Sequence, residues 1–292
     1  MSFKSGFIAL IGRPNAGKST LINAILNEKI AIMSSKPQTT RDVVQGILTT
    51  EDAQYVFIDT PGVHKPQHEL GRQMSKSALN SAFGVDVILF MADATKEYGR
   101  GDEFILENIK SYDTPVFLLL NKEELIKCLT KWQSVFDFAE IIPLSAKMKD
   151  NIPTLLDVIK GYLKEGEMFY PEGQITDHSE RFMIGELIRE KVLQLTNEEV
   201  PHSVFVRVDD LKFDRKKVHI HASIVVDRDS QKGIIIGKGG SMLKKIGEMS
   251  RIDMEAMFEK KVFLELFVRT ERDWRNKNRT LAELGYLNTE DK

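Results

Sequence analysis

The sequence predicts an α/β domain, with a mostly parallel sheet and helices on both faces, followed by a smaller α+β domain. Two observations predict this division. In the first half, short continuous apolar runs alternate with helix-period segments, the pattern of buried parallel strands joined by helical crossovers. Beyond residue 180 the order becomes a long amphipathic helix, two alternating strands, a glycine-rich turn, a helix and a strand. The expected boundaries are 1–166 for the first domain, 167–179 for a linker and 180–292 for the second domain with its tail.

The elements follow in order. Phe7–Gly12 is an apolar run that ends in glycine, and a helix-period stretch runs from Lys18 to Leu26. Val44–Thr50 and Gln54–Asp59 read as strands, as do Val85–Ala92, Val116–Leu120 and the short Glu140–Leu144. Helical patterns separate them at about Gly71–Phe83, Gly101–Ser111, Lys127–Phe138 and Asn151–Lys164. In the second domain the helix is Phe182–Leu195, and the strands are Ser203–Asp209 and Lys217–Val226. A helix over Ser241–Ser250 and a strand over Val262–Arg269 complete it.

With 292 residues, 42% hydrophobic and 29% charged, the chain has globular composition and the length of two domains. The single cysteine, Cys128, excludes a disulfide framework and a cysteine-based zinc knuckle. The apolar run Phe7–Ile11 is too short for a signal peptide, and no stretch reaches the length of a membrane span. A cytosolic, soluble, reduced protein is expected. The net charge of −2 announces no polyanionic partner. Local clustering does: Ser230–Gly247 holds Lys232, Lys238, Lys244 and Lys245 and no carboxylate.

Gly12-Arg13-Pro14-Asn15-Ala16-Gly17-Lys18-Ser19 fits G-x-x-x-x-G-K-[ST] at the exit of a strand and the entry of a helix. There the backbone N–H groups of a glycine-rich loop and a helix N-terminus can cradle phosphates. Lys18 is expected to reach the β- and γ-phosphates and Ser19 to ligate Mg²⁺, with Thr20 next in the helix. Asp59-Thr60-Pro61-Gly62 follows an apolar strand about 40 residues on. Asp59 can hold Mg²⁺ through water, and the Gly62 N–H can meet the γ-phosphate. Between them Pro37-Gln38-Thr39-Thr40-Arg41 suits a mobile loop whose Thr40 completes the Mg²⁺ shell and reports the γ-phosphate.

Two further segments address the base. Asn121-Lys122-Glu123-Glu124 follows the strand Val116–Leu120, and Ser145-Ala146-Lys147 follows Glu140–Leu144. N-K-x-D at the first place reads guanine, its carboxylate accepting N1–H and the exocyclic amine. Here Glu124 stands where aspartate is expected. A backbone N–H at Ala146 would meet guanine O6.

The elements GRPNAGKS, PQTTR, DTPGVHK, NKEE and SAK together resemble the translation-factor class of GTPases, and within it the Era family of ribosome-assembly GTPases. The resemblance continues through Tyr170-Pro171-Glu172, Ile175-Thr176-Asp177, Arg181-Phe182, Ile188-Arg189-Glu190-Lys191, the run Lys232–Gly240 and Leu284-Gly285-Tyr286. It implies a P-loop GTPase domain and a type II KH domain. It further implies GTP and GDP as substrate and product, with Mg²⁺ and Lys18, Thr40 and Gly62 at the chemistry. The implied partners are small-subunit ribosomal RNA near its 3′ end and the small ribosomal subunit. Some members of the family also touch the inner membrane peripherally. In related GTPases with N-A-G-K-S the asparagine, here Asn15, helps bind K⁺. Val63, directly after D-x-x-G, is apolar where many GTPases carry a water-orienting glutamine, and slow intrinsic hydrolysis is expected.

Gly237-Lys238-Gly239-Gly240 is a GxxG loop, the KH device that clamps the backbone of about four nucleotides. Lys238 lies in the loop and Lys244 and Lys245 on the next helix, where they can neutralise phosphates. Ile234, Ile235 and Ile236 offer apolar surface for bases. A different reading is a nucleotide-dependent switch that docks a protein or membrane surface without RNA. A monomer is expected. His219 and His221 read as surface or packing residues, and Met242, Met249, Met254 and Met257 as core filler. Trp274, beside Arg272 and Arg275, reads as an anchor for the tail rather than a base-stacking residue.

Overall fold

The computed structural model describes residues 2–34, 36, 39–63, 68–121, 132, 134–284 and 286. Lys122, Glu123, Glu124, Cys128, Pro37, Gln38, His64, Lys65 and Gly285 lie outside these, as does half of the expected helix Lys127–Phe138.

Two compact units are present, the first comprising Met1–Ala31 and Thr40–Asp177, the second Ile32–Thr39 and His178–Lys292. The first is built on a sheet ordered β2-β3-β1-β4-β5-β6, with β1 Lys4–Gly12, β2 Val44–Thr49, β3 Ala53–Asp59, β4 Val87–Asp93, β5 Val116–Asn121 and β6 Glu140–Leu144. All pairings are parallel except β2 with β3 and a short β7, Lys164–Glu165, against β1. Ile8, Ala9, Leu10 and Ile11 of central β1 are fully buried, which explains their unbroken apolar run. Among the described residues the helices of this unit are α1 Lys18–Leu26, α2 Glu69–Asn80, α3 Arg100–Ile109 and α4 Ile152–Tyr162.

Residues 167–177 are bonded to β1, β2 and β3 of this unit. Ser5 Oγ donates to the Glu167 carbonyl (2.7 Å), and Gln54 Oε1 accepts the N–H groups of Phe169 (2.8 Å) and Tyr170 (3.0 Å). The Ile47 N–H donates to the Ile175 carbonyl. Gln54 is fully buried, so these bonds satisfy a side chain that would otherwise be stranded.

In the second unit α5 Glu180–Leu195 opens on Ser179, whose hydroxyl accepts the Phe182 N–H. A three-stranded sheet follows in the order β10-β9-β8, from β8 Phe205–Phe213, β9 Lys217–Val226 and β10 Lys261–Thr270. Between β9 and β10 come α6 Asp229–Ile236 and α7 Ser241–Phe258, and α8 Asn278–Glu283 follows β10. β9 and β10 run parallel, joined by the helices, and β8 is antiparallel. Ile220, Ala222, Ile224, Ile235, Ile246 and Met254 share one core with Ile184 and Ile188 of α5.

Several expectations are corrected here. Residues 229–236 form a helix where a glycine-rich turn and an apolar segment were expected: Gln231 closes its first turn by accepting the Asp227 and Arg228 N–H groups. The three isoleucines therefore diverge, with Ile235 buried and Ile234 exposed. α7 runs two turns past Ser250. Met254 is core, but Met257 is exposed and Met242 and Met249 are half-buried. Trp274 is an anchor: it is fully buried, packs edge-on against Phe205 and donates its indole N–H to the Ser203 carbonyl at 2.9 Å. His219 and His221 lie beside Asp214 (3.1 Å) and Glu265 (2.9 Å) on the solvent side of the sheet.

Candidate nucleotide site and nucleic-acid interface

The register of β1 against β3 pairs Leu10 with Asp59, which brings the phosphate-loop glycine Gly12 and Asp59 to one end of the sheet. Ser19 Oγ in the first turn of α1 donates to Asp59 Oδ2 at 2.6 Å and lies 2.7 Å from Thr40 Oγ1. Thr40 Oγ1 is 3.5 Å from the same carboxylate oxygen. Three oxygen groups predicted from separate motifs thus converge. Asp59 is fully buried, and its second oxygen, Oδ1, has no hydrogen-bond partner. A buried carboxylate oxygen left unsatisfied is costly unless a cation or its water shell meets it. Oxygen donors of this kind are the set Mg²⁺ takes. The residues present fit that ion.

Lys18 is buried and donates to the carbonyls of Gly12 (3.3 Å) and Arg13 (3.2 Å). Burial pushes its amine down, against the pull of the Asp59 carboxylate, and burial pushes the Asp59 carboxyl up, against Lys18, Ser19 and Thr40. A phosphate beside Lys18 and a divalent cation beside Asp59 would each favour the charged form. Thr60 anchors the strand end by donating to the Leu10 carbonyl at 2.6 Å. Gly62 is packed against the loop so closely that a Cβ there would stand 2.6 Å from Pro14 Cα. The Val63 N–H donates to the Gly12 carbonyl at 3.2 Å, while the Val63 side chain is buried in the core and does not face the loop's open side. Asn15 is exposed at the crest of the loop with φ 63°, and Thr20 is half-buried.

Asn121 ties the base-reading segments to the loop. Its Nδ2 donates to the Ala16 carbonyl (2.8 Å) and its Oδ1 accepts the Ala146 N–H (3.2 Å). Ser145 is half-buried, and its Oγ accepts the Met148 N–H at 3.3 Å, closing the turn that presents Ala146. Lys122 and Glu124 are outside the described residues.

Thr39 and Arg41 of the expected mobile loop are both buried. Residues 32–39 cluster with the second unit, where Arg189 of α5 donates to the Thr39 carbonyl and Glu190 accepts the Met33 N–H at 3.0 Å. Lys191 and Asp253 complete this buried charge group, 2.5 Å apart. Ile188-Arg189-Glu190-Lys191 carried no assignable role in the sequence, and nothing local to it signals a main-chain partner some 150 residues away.

Also in the second unit, Gly237 has φ 72°, and a Cβ there would meet Met242 Cβ at 2.7 Å, so only glycine fits. Gly239 and Gly240 are likewise left-handed but open. Lys238, Lys244 and Lys245 are exposed around this turn. Beside it runs a groove of about 580 Å³ between α7 and the edge strand β10. Leu243, Gly247, Val262, Phe263, Leu264 and Leu266 form its apolar lining, and Lys244, Glu248 and Arg251 also border it.

Residues 7–122 match the family described as 50S ribosome-binding GTPase, and residues 199–275 match the KH domain. A crystal structure of a variant of Aquifex aeolicus Era bound to GDP and AlF4⁻ is 38% identical, with TM-score 0.94, and the match covers 98% of this chain and 100% of that one. A structure of Era with MgGDPNP and nucleotides 1506–1542 of 16S ribosomal RNA is also 38% identical, with TM-score 0.92 over the same shares of the two chains. At 38% identity over 98% of its length, this chain belongs to the Era family of GTPases.

Proposed function

We propose that this protein hydrolyses GTP to GDP and phosphate and binds small-subunit ribosomal RNA near its 3′ end, assisting small-subunit assembly. The convergence of Ser19, Thr40 and Asp59 at the mouth of the phosphate loop carries the first part. Ser19 and Thr40 would hold Mg²⁺ directly and Asp59 through water. When bound, the ion neutralises charge on the β- and γ-phosphates. Lys18 and the loop N–H groups stabilise the charge that develops as the γ-phosphoryl group leaves, and the Gly62 N–H orients that group. Val63, directly after Gly62, is buried and apolar and has no group to orient water. Intrinsic turnover is therefore slow.

The GxxG turn, its lysines and the adjoining groove support the RNA reading. Phosphates lie along Lys238, Lys244 and Lys245, and bases enter the apolar groove. Within the second unit, Met33 and Thr39 are held by Glu190 and Arg189 of α5. The proposal extends to a cytoplasmic monomer with peripheral contact at the inner membrane, which rests on the family alone. Among the described residues no helix is long and apolar enough to cross a membrane.

Four outcomes are expected. Val63→Ala should leave the single-turnover rate of GTP hydrolysis within about twofold while lowering unfolding free energy by about 1–2 kcal/mol, read by urea denaturation, because it removes two buried methyl groups. A large rate loss would show a catalytic task for this side chain. Gly239→Asp places a carboxylate in the clamp at a position with open space and left-handed φ. Filter binding of single-stranded RNA should weaken by at least about tenfold, with GTP turnover intact. Wild type that binds no RNA at any salt concentration would favour a protein- or membrane-docking switch instead.

For the base, Glu124 keeps both carboxylate oxygens but adds a methylene. GDP affinity should rise about tenfold in Glu124→Asp and nearly vanish in Glu124→Ala, with ADP bound by neither. Wild-type affinity in Glu124→Ala would remove Glu124 as the base reader. Finally, we propose that Asn15 helps hold K⁺ beside the phosphates. Hydrolysis should be faster in potassium than in sodium chloride at matched ionic strength, and equal rates would end the idea.

A further inference from the structure

Arg13 occupies a variable position of the phosphate loop, yet its side chain is tethered outside the loop. Its Nη1 donates to Asp102 Oδ2 at 3.2 Å. Asp102 sits in the first turn of α3 with its side chain only 4% exposed, and the same oxygen accepts the Gly99 N–H at 3.0 Å. The guanidinium lies across that turn: a Cβ on Gly101 would stand 3.3 Å from Arg13 Nε. An arginine at a helix N-terminus faces the positive end of the helix dipole, so this placement is favourable only because a buried carboxylate is there to receive it.

The main chain around Arg13 carries the chemistry. The Arg13 carbonyl accepts from Lys18 Nζ at 3.2 Å. On one side, the Gly12 carbonyl accepts the Val63 N–H, and on the other Pro14 packs against Gly62. Segment 12–14 therefore touches both the lysine that meets the phosphates and the glycine whose N–H meets the γ-phosphate. The side chain of Arg13 is what fixes that segment to a rigid helix.

We propose that Asp102 is a positioning residue for GTP hydrolysis: through Arg13 it sets the phosphate-loop segment that aligns Lys18 and Gly62 on the γ-phosphate. The inference rests on the hydrolase reading. GDP, which lacks the γ-phosphate, depends on the loop N–H groups farther along and should be nearly indifferent to this tether. Misplacement of a reacting group by a fraction of an ångström to 1 Å is enough for a rate loss of about ten- to a hundredfold.

The test is single-turnover GTP hydrolysis and GDP affinity in Asp102→Asn, Asp102→Glu, Arg13→Ala and the double variant Arg13→Ala/Asp102→Ala, with wild type alongside. The expected result is a rate lower by about tenfold in Asp102→Asn and Arg13→Ala, partly restored in Asp102→Glu, with GDP affinity within about twofold of wild type. The double variant should be no slower than Arg13→Ala, since both changes cut one tether. Should Asp102→Asn fold poorly, Arg13→Ala alters a side chain that is 39% exposed and gives the same reading. Rates equal to wild type, or rate and GDP affinity falling by one common factor, would overturn the proposal. A wild type without turnover would instead sink the hydrolase reading.

Discussion

The pairing register of β1 with β3 is the constraint on which the first unit depends. Leu10 opposite Asp59 puts the exit of one strand and the carboxylate of the other at the same level of the sheet. A slip of one residue would move Asp59 by about 3.3 Å and turn its side chain to the other face. Ser19 would lose its 2.6 Å partner, Thr60 its bond to the Leu10 carbonyl and Gly62 its contact with Pro14. The register is held by residues buried from Ile8 to Ile11 and from Ala53 to Ile58, all apolar except Gln54 and the Tyr55 hydroxyl. The geometry of the polar site is thus decided by residues that never touch it.

What the sequence made legible follows from where each signal resides. Lys18, Ser19, Asp59 and Gly62 belong to local patterns whose spacing is dictated by a loop wrapped on phosphates, and the structure brings them together. The continuous strands were legible for the same kind of reason, since burial on both faces leaves an apolar run. The helix Asp229–Ile236 was not, because a β-branched triplet beside glycine has no helical period, and its first turn is closed by Gln231 instead of a usual cap. Arg13 with Asp102, and Arg189 with Thr39, were invisible: each partnership joins residues about 90 to 150 positions apart, and neither partner carries a local signature.

The second unit solves a different problem with related means. It must present phosphate-binding charge without a deep pocket, so its lysines stay exposed around a turn while the core is held beneath by Ile220, Ile224, Ile235 and Ile246. Gly237 lets the chain double back over Met242, where any side chain would collide. Trp274 closes the far end by satisfying the Ser203 carbonyl. Rigidity below and charge above suit a clamp for a flexible polyanion, because the ordering cost then falls on the ligand alone.

Both units bury polar groups and each leaves a buried atom unsatisfied, Asp59 Oδ1 in the first and Ser250 Oγ in the second. In the second, Lys191 lies between Glu190 and Asp253, and Arg189 beside Glu186. In the first, Lys18 donates to two main-chain carbonyls, and its charge and that of Asp59 favour one another against burial. Buried charge left this way costs stability until a ligand arrives that completes it. A nucleotide with its cation then stabilises the folded state in proportion to the logarithm of its concentration over its dissociation constant.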